Sequence, residues 1–213
     1  IRRLSLATWI LPLVRLFAWV RVEGREHLRS LDGPVIFAAN HQSHMDTPVI
    51  LAALPSHWRY TLAPAMAKEF FNAHFSPNQH TRWQWLIQSL QYYLAAFFFN
   101  AFPLPRYEAG AYQTLHYIGE LVDEGFSILI FPEGERTEGD KIHPFRAGVS
   151  MIASRLNVPV VPVRLEGVGR VLHPTWNMPR PGHVHVKFGL PLRLDGEDYT
   201  ALAKRVEEAI RQL

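Results

Sequence analysis

The sequence contains no cysteine. This absence excludes disulfide bridges, zinc sites with thiolate ligands and a catalytic thiol, and it leaves the redox compartment of the protein open. Internal repeats and low-complexity tracts are also missing, so 213 residues, 48% of them hydrophobic, predict one domain with a substantial core. The sequence has neither a dense basic stripe nor a recognisable nucleic-acid-binding module, and its formal charge is only +3. We therefore predict no nucleic-acid partner.

Arginine and apolar residues concentrate near the N-terminus. Residues 4–20, LSLATWILPLVRLFAWV, are about long enough to span a bilayer, but Pro12 and Arg15 interrupt them. The aromatic side chains of this stretch suit the depth of lipid headgroups. We interpret residues 1–22 as a helix lying on a membrane surface. The alternatives are the remnant of a spanning helix and a helix packed on the domain.

Alternating strands and helices define the fold class. Apolar, β-branched runs predict strands at residues 35–39, 59–62, 101–104, 127–131, 160–165 and 183–188. Helical spacing predicts helices over residues 111–122 and 199–213. This alternation predicts a single α/β domain over residues 23–213, with a largely parallel or mixed central sheet flanked by helices and preceded by the membrane-associating helix. Sites in such folds form at the carboxyl ends of the strands.

Residues 81–102, TRWQWLIQSLQYYLAAFFFNAF, are unusually apolar. Three glutamines, at positions 84, 88 and 91, form one polar stripe on this helix. One interpretation is a core helix whose glutamine stripe meets solvent. The other is a helix that lines a lipid chain or touches the bilayer. The stripe argues against a helix that spans.

The segment NHQSHMD, residues 40–46, places His41 and Asp46 five residues apart directly after a predicted strand. The spacing alone decides little, because His27 and Asp32 have the same spacing without evident chemistry. On a continuous helix, residues five apart diverge by about 140°.

A helix start offers a structural explanation for the same segment. Asp46-Thr47-Pro48 is typical of one, with Thr47 as the cap and Pro48 at the first helical position. Pro48 also disfavours helical backbone at Thr47, so a curled loop before the helix would bring His41 and Asp46 together. Capping and catalysis are therefore compatible.

A second segment, FPEGERT at residues 131–137, follows the strand pattern SILI. Its proline and glycine indicate a tight turn. An arginine at a strand end beside a glycine, here Arg136, is suited to holding a phosphate. The alternative is an ordinary surface turn with Glu135 and Arg136 in solvent.

These two segments, followed by VPVVPV at residues 158–163, resemble three of the four blocks of the glycerolipid acyltransferase family in their order and rough spacing. VEGREHL at 22–28 and HPFRAGVSMIA at 143–153 are also typical, so the resemblance covers nearly the whole chain. It implies transfer of a fatty acyl group from acyl-CoA or an acyl-carrier protein to the hydroxyl of a lysophospholipid. The leading acceptor is 1-acylglycerol-3-phosphate, which gives phosphatidic acid, and another lysolipid acceptor is the alternative. It implies no cofactor and no metal.

The resemblance also implies residue roles. His41 would be the general base on the acceptor hydroxyl and Asp46 its orienting carboxylate, so that no acyl-enzyme forms. Glu133, Gly134 and Arg136 would position the acceptor, with Arg136 on its phosphate. The remaining implied residues are Arg106, which matches the arginine closing the second block, and the supporting residues Asn40, Ser43 and Thr137. His44 is not a catalytic position of the family and is expected to be supporting or exposed.

Two departures from the family pattern leave the acceptor headgroup open. The second block, AFPLPR, keeps only its arginine and apolar character, and Glu135 stands where threonine is commonest. Such variants are similar to acyltransferase domains fused to acyl-activating enzymes. The chain starts with Ile1 rather than Met. We therefore expect it to have lost its original start and to be fused to, or to act with, an acyl-activating domain on the cytoplasmic face of a membrane.

Three other functions were weighed against acyl transfer. A thioester or ester hydrolase that uses His41 and Asp46 with water is disfavoured. The segment GVSMI lacks the last glycine of a Gly-x-Ser-x-Gly elbow, and an acceptor site with Arg106 and Arg136 would be superfluous. A non-enzymatic lipid-binding protein of the same fold remains an alternative. His183 and His185 share a strand face without an evident third ligand, which favours a polar strand face over a metal site.

Overall fold

A seven-stranded sheet forms the centre of the computed structural model, which describes residues 2–104, 111–137, 139, 141–173, 175–176 and 178–213. The strands are β1 (Ala18–Glu23), β2 (Ile36–Ala39), β3 (Leu62–Ala67), β4 (Phe102–Leu104), β5 (Ser127–Ile130), β6 (Val160–Glu166) and β7 (Gly182–Phe188). Their order is β1-β7-β6-β2-β5-β3-β4. Neighbouring strands run parallel except for the antiparallel pair β6 and β7. The predicted α/β class with a mixed sheet is confirmed.

Helices cover both faces of this sheet. One face carries the N-terminal helical segment, which comprises α1 (Arg2–Ser5), a π-helical turn (Leu6–Ile10) and α2 (Leu11–Phe17), together with α3 (Asp46–Ala53) and α9 (Val168–Val171). The other face carries α7 (Ala111–Asp123), α8 (Gly148–Leu156) and α10 (Tyr199–Arg211). The remaining helices are α4 (Ser56–Tyr60), α5 (Asn72–Phe75) and α6 (Arg82–Phe99). Central strand β2 is buried on both faces, which is why its sequence reads as a continuous apolar run.

The prediction for residues 59–62 was wrong. The chain forms helix α4 there, and β3 begins only at Leu62. The side chain of Arg59 explains the helix, because its guanidinium donates to the carbonyls of Leu51 and Leu54 at the end of α3. Hydrogen bonds from a side chain of a later segment to the carbonyls at a helix end leave no periodic pattern in the sequence.

Strand β1 replaces the end of the predicted N-terminal helix. The helix ends at Phe17, and Ala18–Glu23 pairs in parallel with β7 at the sheet edge. The predicted boundary at residue 22 therefore falls inside a strand. A sequence signal was available, because VRVE alternates apolar and charged residues, as a half-buried strand does.

The N-terminal helical segment packs on the domain. Its buried side chains include Leu6, Ile10 and Val14, which join the core on one face of the sheet. Its opposite face leaves Leu4, Trp9, Leu13 and Leu16 exposed. Among the helices of the described residues, none is both long enough and apolar enough to cross a membrane. Packing on the domain is thus shown, and contact with a membrane surface stays a prediction.

Helix α6 is not the core helix of the first interpretation. Its start is fixed by a capping box between Thr81 and Gln84. Gln88 accepts a hydrogen bond from the backbone N–H of Ala73 at 2.8 Å, and Gln91 lines a cleft in the protein. Gln84 and Gln91 are nevertheless exposed, and Ser89 is the buried residue of this helix, whose large apolar side chains are exposed. The prediction of a core helix was therefore wrong.

Candidate active site

A cleft of about 1070 Å³ opens at the carboxyl ends of β2, β3 and β5. These strands are neighbours in register, with Ala38 of β2 opposite Ile130 of β5, so the loops that follow them meet. The cationic rim is Arg136 and Arg146, and the apolar wall is Ala65, Met66, Ala67, Phe71 and Phe99. His41 lines the same cleft.

His41 and Asp46 are in contact. The Nδ1 atom of His41 lies 2.7 Å from Oδ2 of Asp46, and the aspartate is fully buried. Because a carboxylate can only accept, Nδ1 carries the proton and Nε2 keeps its lone pair. The imidazole also stacks on Phe131, with ring centroids 4.2 Å apart. The ring is thereby fixed in position and tautomer.

Asp46 shapes the loop that brings it to His41. Its Oδ2 also accepts the backbone N–H groups of Gln42 at 2.7 Å and Ser43 at 2.9 Å. Helix α3 begins at Asp46 itself, after Met45. The predicted cap at Thr47 and first helical position at Pro48 were therefore wrong, because the helix starts before them. Asp46 holds the loop before the helix.

The turn after β5 holds the backbone of His41 on both sides. Oε1 of Glu133 accepts the N–H of His41 at 2.8 Å, and Oε2 accepts the N–H of His143 at 2.7 Å. Thr137 donates to the carbonyl of His41 from its N–H at 2.9 Å and from its hydroxyl at 3.1 Å. Burial raises the pKa of Glu133, and the two backbone N–H groups oppose that shift. Both carboxylate oxygens of Glu133 are thus used inside the protein.

The other supporting residues tie the loop to neighbouring elements. Asn40 exchanges two hydrogen bonds with the backbone of Leu165 in β6, at 2.9 and 2.7 Å. The hydroxyl of Ser43 donates to the carbonyl of Leu172 at 2.5 Å. Gln42, which the sequence interpretation missed, donates to the carbonyl of Gly139 and accepts from the N–H of Val168. Its position inside the segment NHQSHMD was the available sequence signal, and the structure shows that Gln42 is buried.

Arg146 joins Arg136 at the cationic rim and was also missed. Gly134 has a φ of 76°, and a Cβ atom there would lie 2.8 Å from Nε of Arg146. Glycine is therefore required both for the turn and for the approach of this arginine. The signal was a second arginine in HPFRAGV, directly before α8.

His44 contacts Arg136 through a hydrogen bond from the guanidinium to its Nε2. Burial lowers the pKa of His44, and the positive charge of Arg136 lowers it further. The neutral form of His44 therefore accepts from Arg136 at the cleft. Arg106 lies outside the described residues.

Glu135 lines the cleft beside the cationic rim, whereas the paired histidines of β7 lie outside it. The carboxylate of Glu135 lies 3.6 Å from Nδ1 of His143. The ring of His183 packs edge-on against Trp19, with centroids 4.9 Å apart. Within the part of the chain that the structure describes, no three metal-ligating side chains converge.

Residues 19–166 match the family model described as Acyltransferase. The chain belongs to the Acyltransferase family. It is 27% identical over 152 residues to the chloroplastic 1-acyl-sn-glycerol-3-phosphate acyltransferase BAT2 of Brassica napus, covering 71% of this chain and 38% of that protein. It is 23% identical over 197 residues to the chloroplastic 1-acyl-sn-glycerol-3-phosphate acyltransferase LPAT1 of Arabidopsis thaliana, covering 92% and 49%. The chain thus spans less than half the length of these relatives.

A solved structure supports the same family. The crystal structure of the 1-acyl-sn-glycerophosphate acyltransferase PlsC from Thermotoga maritima is similar, with a TM-score of 0.68 and 26% identity. The similarity covers 99% of this chain and 79% of that chain. The resemblance found in the sequence is therefore confirmed.

Glutamine at position 133 is expected to lower kcat about 10- to 100-fold. Its single carbonyl oxygen can accept from only one of the two N–H groups that Glu133 holds, and its amide would face the other donor. An unsatisfied buried donor costs roughly 1–3 kcal/mol, so the loop carrying His41 shifts. Steady-state kinetics and thermal unfolding of Glu133→Gln measure both effects. A variant with the parental kcat would show that these bonds do not position His41.

Proposed function

We propose that this chain transfers a fatty acyl group from a thioester to the free hydroxyl of 1-acylglycerol-3-phosphate and forms phosphatidic acid. The observation that carries the proposal is the His41–Asp46 pair, at 2.7 Å, in a cleft that also contains a cationic rim and an apolar wall. A base, an anion site and an apolar surface are the three features that this reaction requires. The similar proteins from Brassica napus and Thermotoga maritima, both named as acyltransferases of this acceptor class, support it.

The chemistry needs no covalent intermediate on the protein. Nε2 of His41 takes the proton of the acceptor hydroxyl while its oxygen attacks the thioester carbonyl. The new C–O bond forms, the C–S bond breaks, and the proton passes from His41 to the departing sulfur. Buried Asp46 stabilises the imidazolium between these two transfers.

The cationic rim and the apolar wall of the cleft hold different parts of the substrates. Arg136 and Arg146 hold the acceptor phosphate, since guanidinium groups suit phosphate oxygens. The apolar wall holds acyl carbons. Glu133 takes a positioning role on His41 rather than a contact with the acceptor, because both of its oxygens already accept backbone N–H groups. The donor is acyl-CoA or an acyl-carrier protein, used as co-substrate.

The proposal places the protein at the cytoplasmic surface of a membrane. The acceptor is a lipid, whereas the thioester donors are water-soluble molecules of the cytoplasm. The N-terminal helical segment supplies exposed apolar side chains for such contact. Fusion to, or cooperation with, an acyl-activating domain stays a prediction.

The direct test supplies purified protein with detergent-dispersed lysophosphatidic acid and a long-chain acyl-CoA. Free thiol and phosphatidic acid are followed together, and we expect equal amounts of the two. Thiol release without lipid product would indicate hydrolysis or another acceptor, which a panel of lysolipids separates. Folded protein without turnover for any donor or acceptor would favour the lipid-binding alternative.

Alanine at Arg136 is expected to raise the KM for lysophosphatidic acid about 10- to 100-fold, the worth of a charge-assisted hydrogen bond. The KM for monoacylglycerol, which has no phosphate, should stay within about threefold of its parental value, since a neutral headgroup makes no such bond. Arg205→Ala, an exposed arginine of α10 outside the cleft, is the matched control. Equal effects on both acceptors would place the phosphate elsewhere.

A further inference from the structure

Helix α6 carries an exposed apolar stripe. Eight large apolar side chains of α6 are between 41% and 69% exposed, and all but Trp85 lie on this stripe: Trp83, Leu86, Ile87, Leu90, Tyr93, Leu94 and Phe97. At 100° per residue these positions fall within about 120° of the helix circumference. Contiguous apolar surface of this kind on a monomer marks an interaction site.

The orientation of α6 is fixed by polar contacts on its other side. Ser89 is buried, and its hydroxyl lies 2.8 Å from Nδ1 of His74. Tyr92 stacks on the same imidazole at 4.4 Å. Together with the hydrogen bond from Ala73 to Gln88, these contacts prevent the helix from rolling its apolar stripe inward. The exposure therefore belongs to the folded state.

The stripe continues onto the N-terminal helical segment. Trp9 packs edge-on against Phe98 of α6, with ring centroids 5.0 Å apart. The guanidinium of Arg2 donates to the carbonyl of Phe99 at 3.2 Å and so ties the two elements together. The apolar side chains exposed on the N-terminal segment are Leu4, Trp9, Leu13 and Leu16. Two separate parts of the sequence thus form one apolar surface.

Charge identifies the partner of this surface. The N-terminal helical segment and α6, residues 2–17 and 82–99, contain no aspartate or glutamate, and their exposed charged side chains are Arg3, Arg15 and Arg82. An acid-free apolar surface with arginines complements a bilayer that contains anionic lipids. A second copy of this chain would bring like charges together. Tryptophan and tyrosine on the stripe suit the headgroup depth of a bilayer.

We propose that α6 and the N-terminal helical segment form one membrane-docking surface, with α6 lying flat on an anionic bilayer and its apolar stripe among the lipids. The lipid partner follows from the charge and apolarity of the surface, and the lipid acceptor of the proposed function agrees with it. Docking itself requires no turnover, so binding and activity can fail independently. The sequence interpretation considered a bilayer contact for α6, and the structure supplies the orientation that this contact needs.

The absence of cysteine makes a direct test possible, because each introduced cysteine is the only labelling site. Leu90→Cys in the stripe and Thr200→Cys, exposed on α10, are labelled with an environment-sensitive fluorophore such as NBD. Vesicles of phosphatidylglycerol and phosphatidylcholine are then added without substrate. We expect the Leu90 label to shift to shorter wavelength and the Thr200 label to remain unchanged. A Leu90 label that does not shift would overturn the proposal.

Charged variants give the second readout. The double variant Leu90→Glu/Leu94→Glu is expected to weaken co-sedimentation with the same vesicles at least about tenfold. Tyr112→Glu, at an 80% exposed position of α7, should bind as the parent does. Thermal unfolding confirms that both variants fold. Unchanged vesicle binding by the double variant, with loss of a dimer in solution, would assign the surface to a second copy and overturn the proposal.

Discussion

Alanine in place of His41 is expected to lower kcat about 10³-fold with little change in the KM for either substrate. The imidazole is the group in the cleft whose tautomer is set by a buried carboxylate, at 2.7 Å, so its Nε2 is prepared to accept a proton. The neighbouring imidazole of His44 does not replace it, because its Nε2 already accepts from Arg136. Without His41, the acceptor hydroxyl must attack while it keeps its proton.

The control for this prediction is His44→Ala, the other imidazole that lines the cleft. Loss of the contact with Arg136 should raise the KM for the acceptor and leave kcat within about tenfold of the parental value, since proton transfer is untouched. Both variants should unfold within a few degrees of the parent, because each loses about 1 kcal/mol of ring packing. A His41→Ala enzyme that retains a tenth of the parental kcat would remove His41 from the proposed mechanism.

Asparagine in place of Asp46 is expected to lower kcat about 10²- to 10³-fold. Its NH2 group takes the place of the buried Oδ1, which accepts no hydrogen bond from the described residues, so we expect a loss of stability of roughly 1–3 kcal/mol, smaller than that of alanine. The carbonyl oxygen of asparagine can accept the three donors that Oδ2 now accepts, from His41, Gln42 and Ser43. The loop therefore persists, but the negative charge that stabilises the imidazolium is lost. Acceptor and donor KM values should change little.

Alanine at Asp46 separates the two roles of this residue. It leaves all three donors without their acceptor in a fully buried site, and we expect the free energy of unfolding to fall by roughly 2–5 kcal/mol. Chemical denaturation and single-turnover kinetics of the two variants distinguish lost charge from lost structure. If asparagine were as destabilising as alanine, the kinetic loss could be assigned to the loop alone.

Most strands of the sheet could be predicted from the sequence, but β3, which borders the cleft, could not. Strands β2, β5, β6 and β7 lie within one residue of their expected bounds because they are buried, apolar and bounded by turns. Strand β1 was missed because it follows a helix without a turn residue and the apolar run continues into it. The spacing of apolar residues changes there from helical to alternating. The length of the continuous apolar run hid this change.

Contacts between distant residues were harder to predict than elements. The meeting of His41 and Asp46 depends on a loop conformation that Asp46 itself stabilises through two backbone N–H groups, and no periodicity encodes that. The prediction that α6 is a core helix was wrong for a related reason. Periodicity separates a polar from an apolar face, but only packing decides which face meets the protein.

The carboxylate of Glu133 has a wider consequence for how this reaction can be adapted. It joins the backbone of His41 to the segment that leads into Arg146, so the proton acceptor and the anion site form one rigid unit carried by β2 and β5. The apolar wall belongs to other elements, chiefly β3 and α6. Substitutions along that wall can therefore retune which hydrocarbon tails are accommodated while the reacting geometry stays the same. Selectivity and reactivity are, in this architecture, separately evolvable properties.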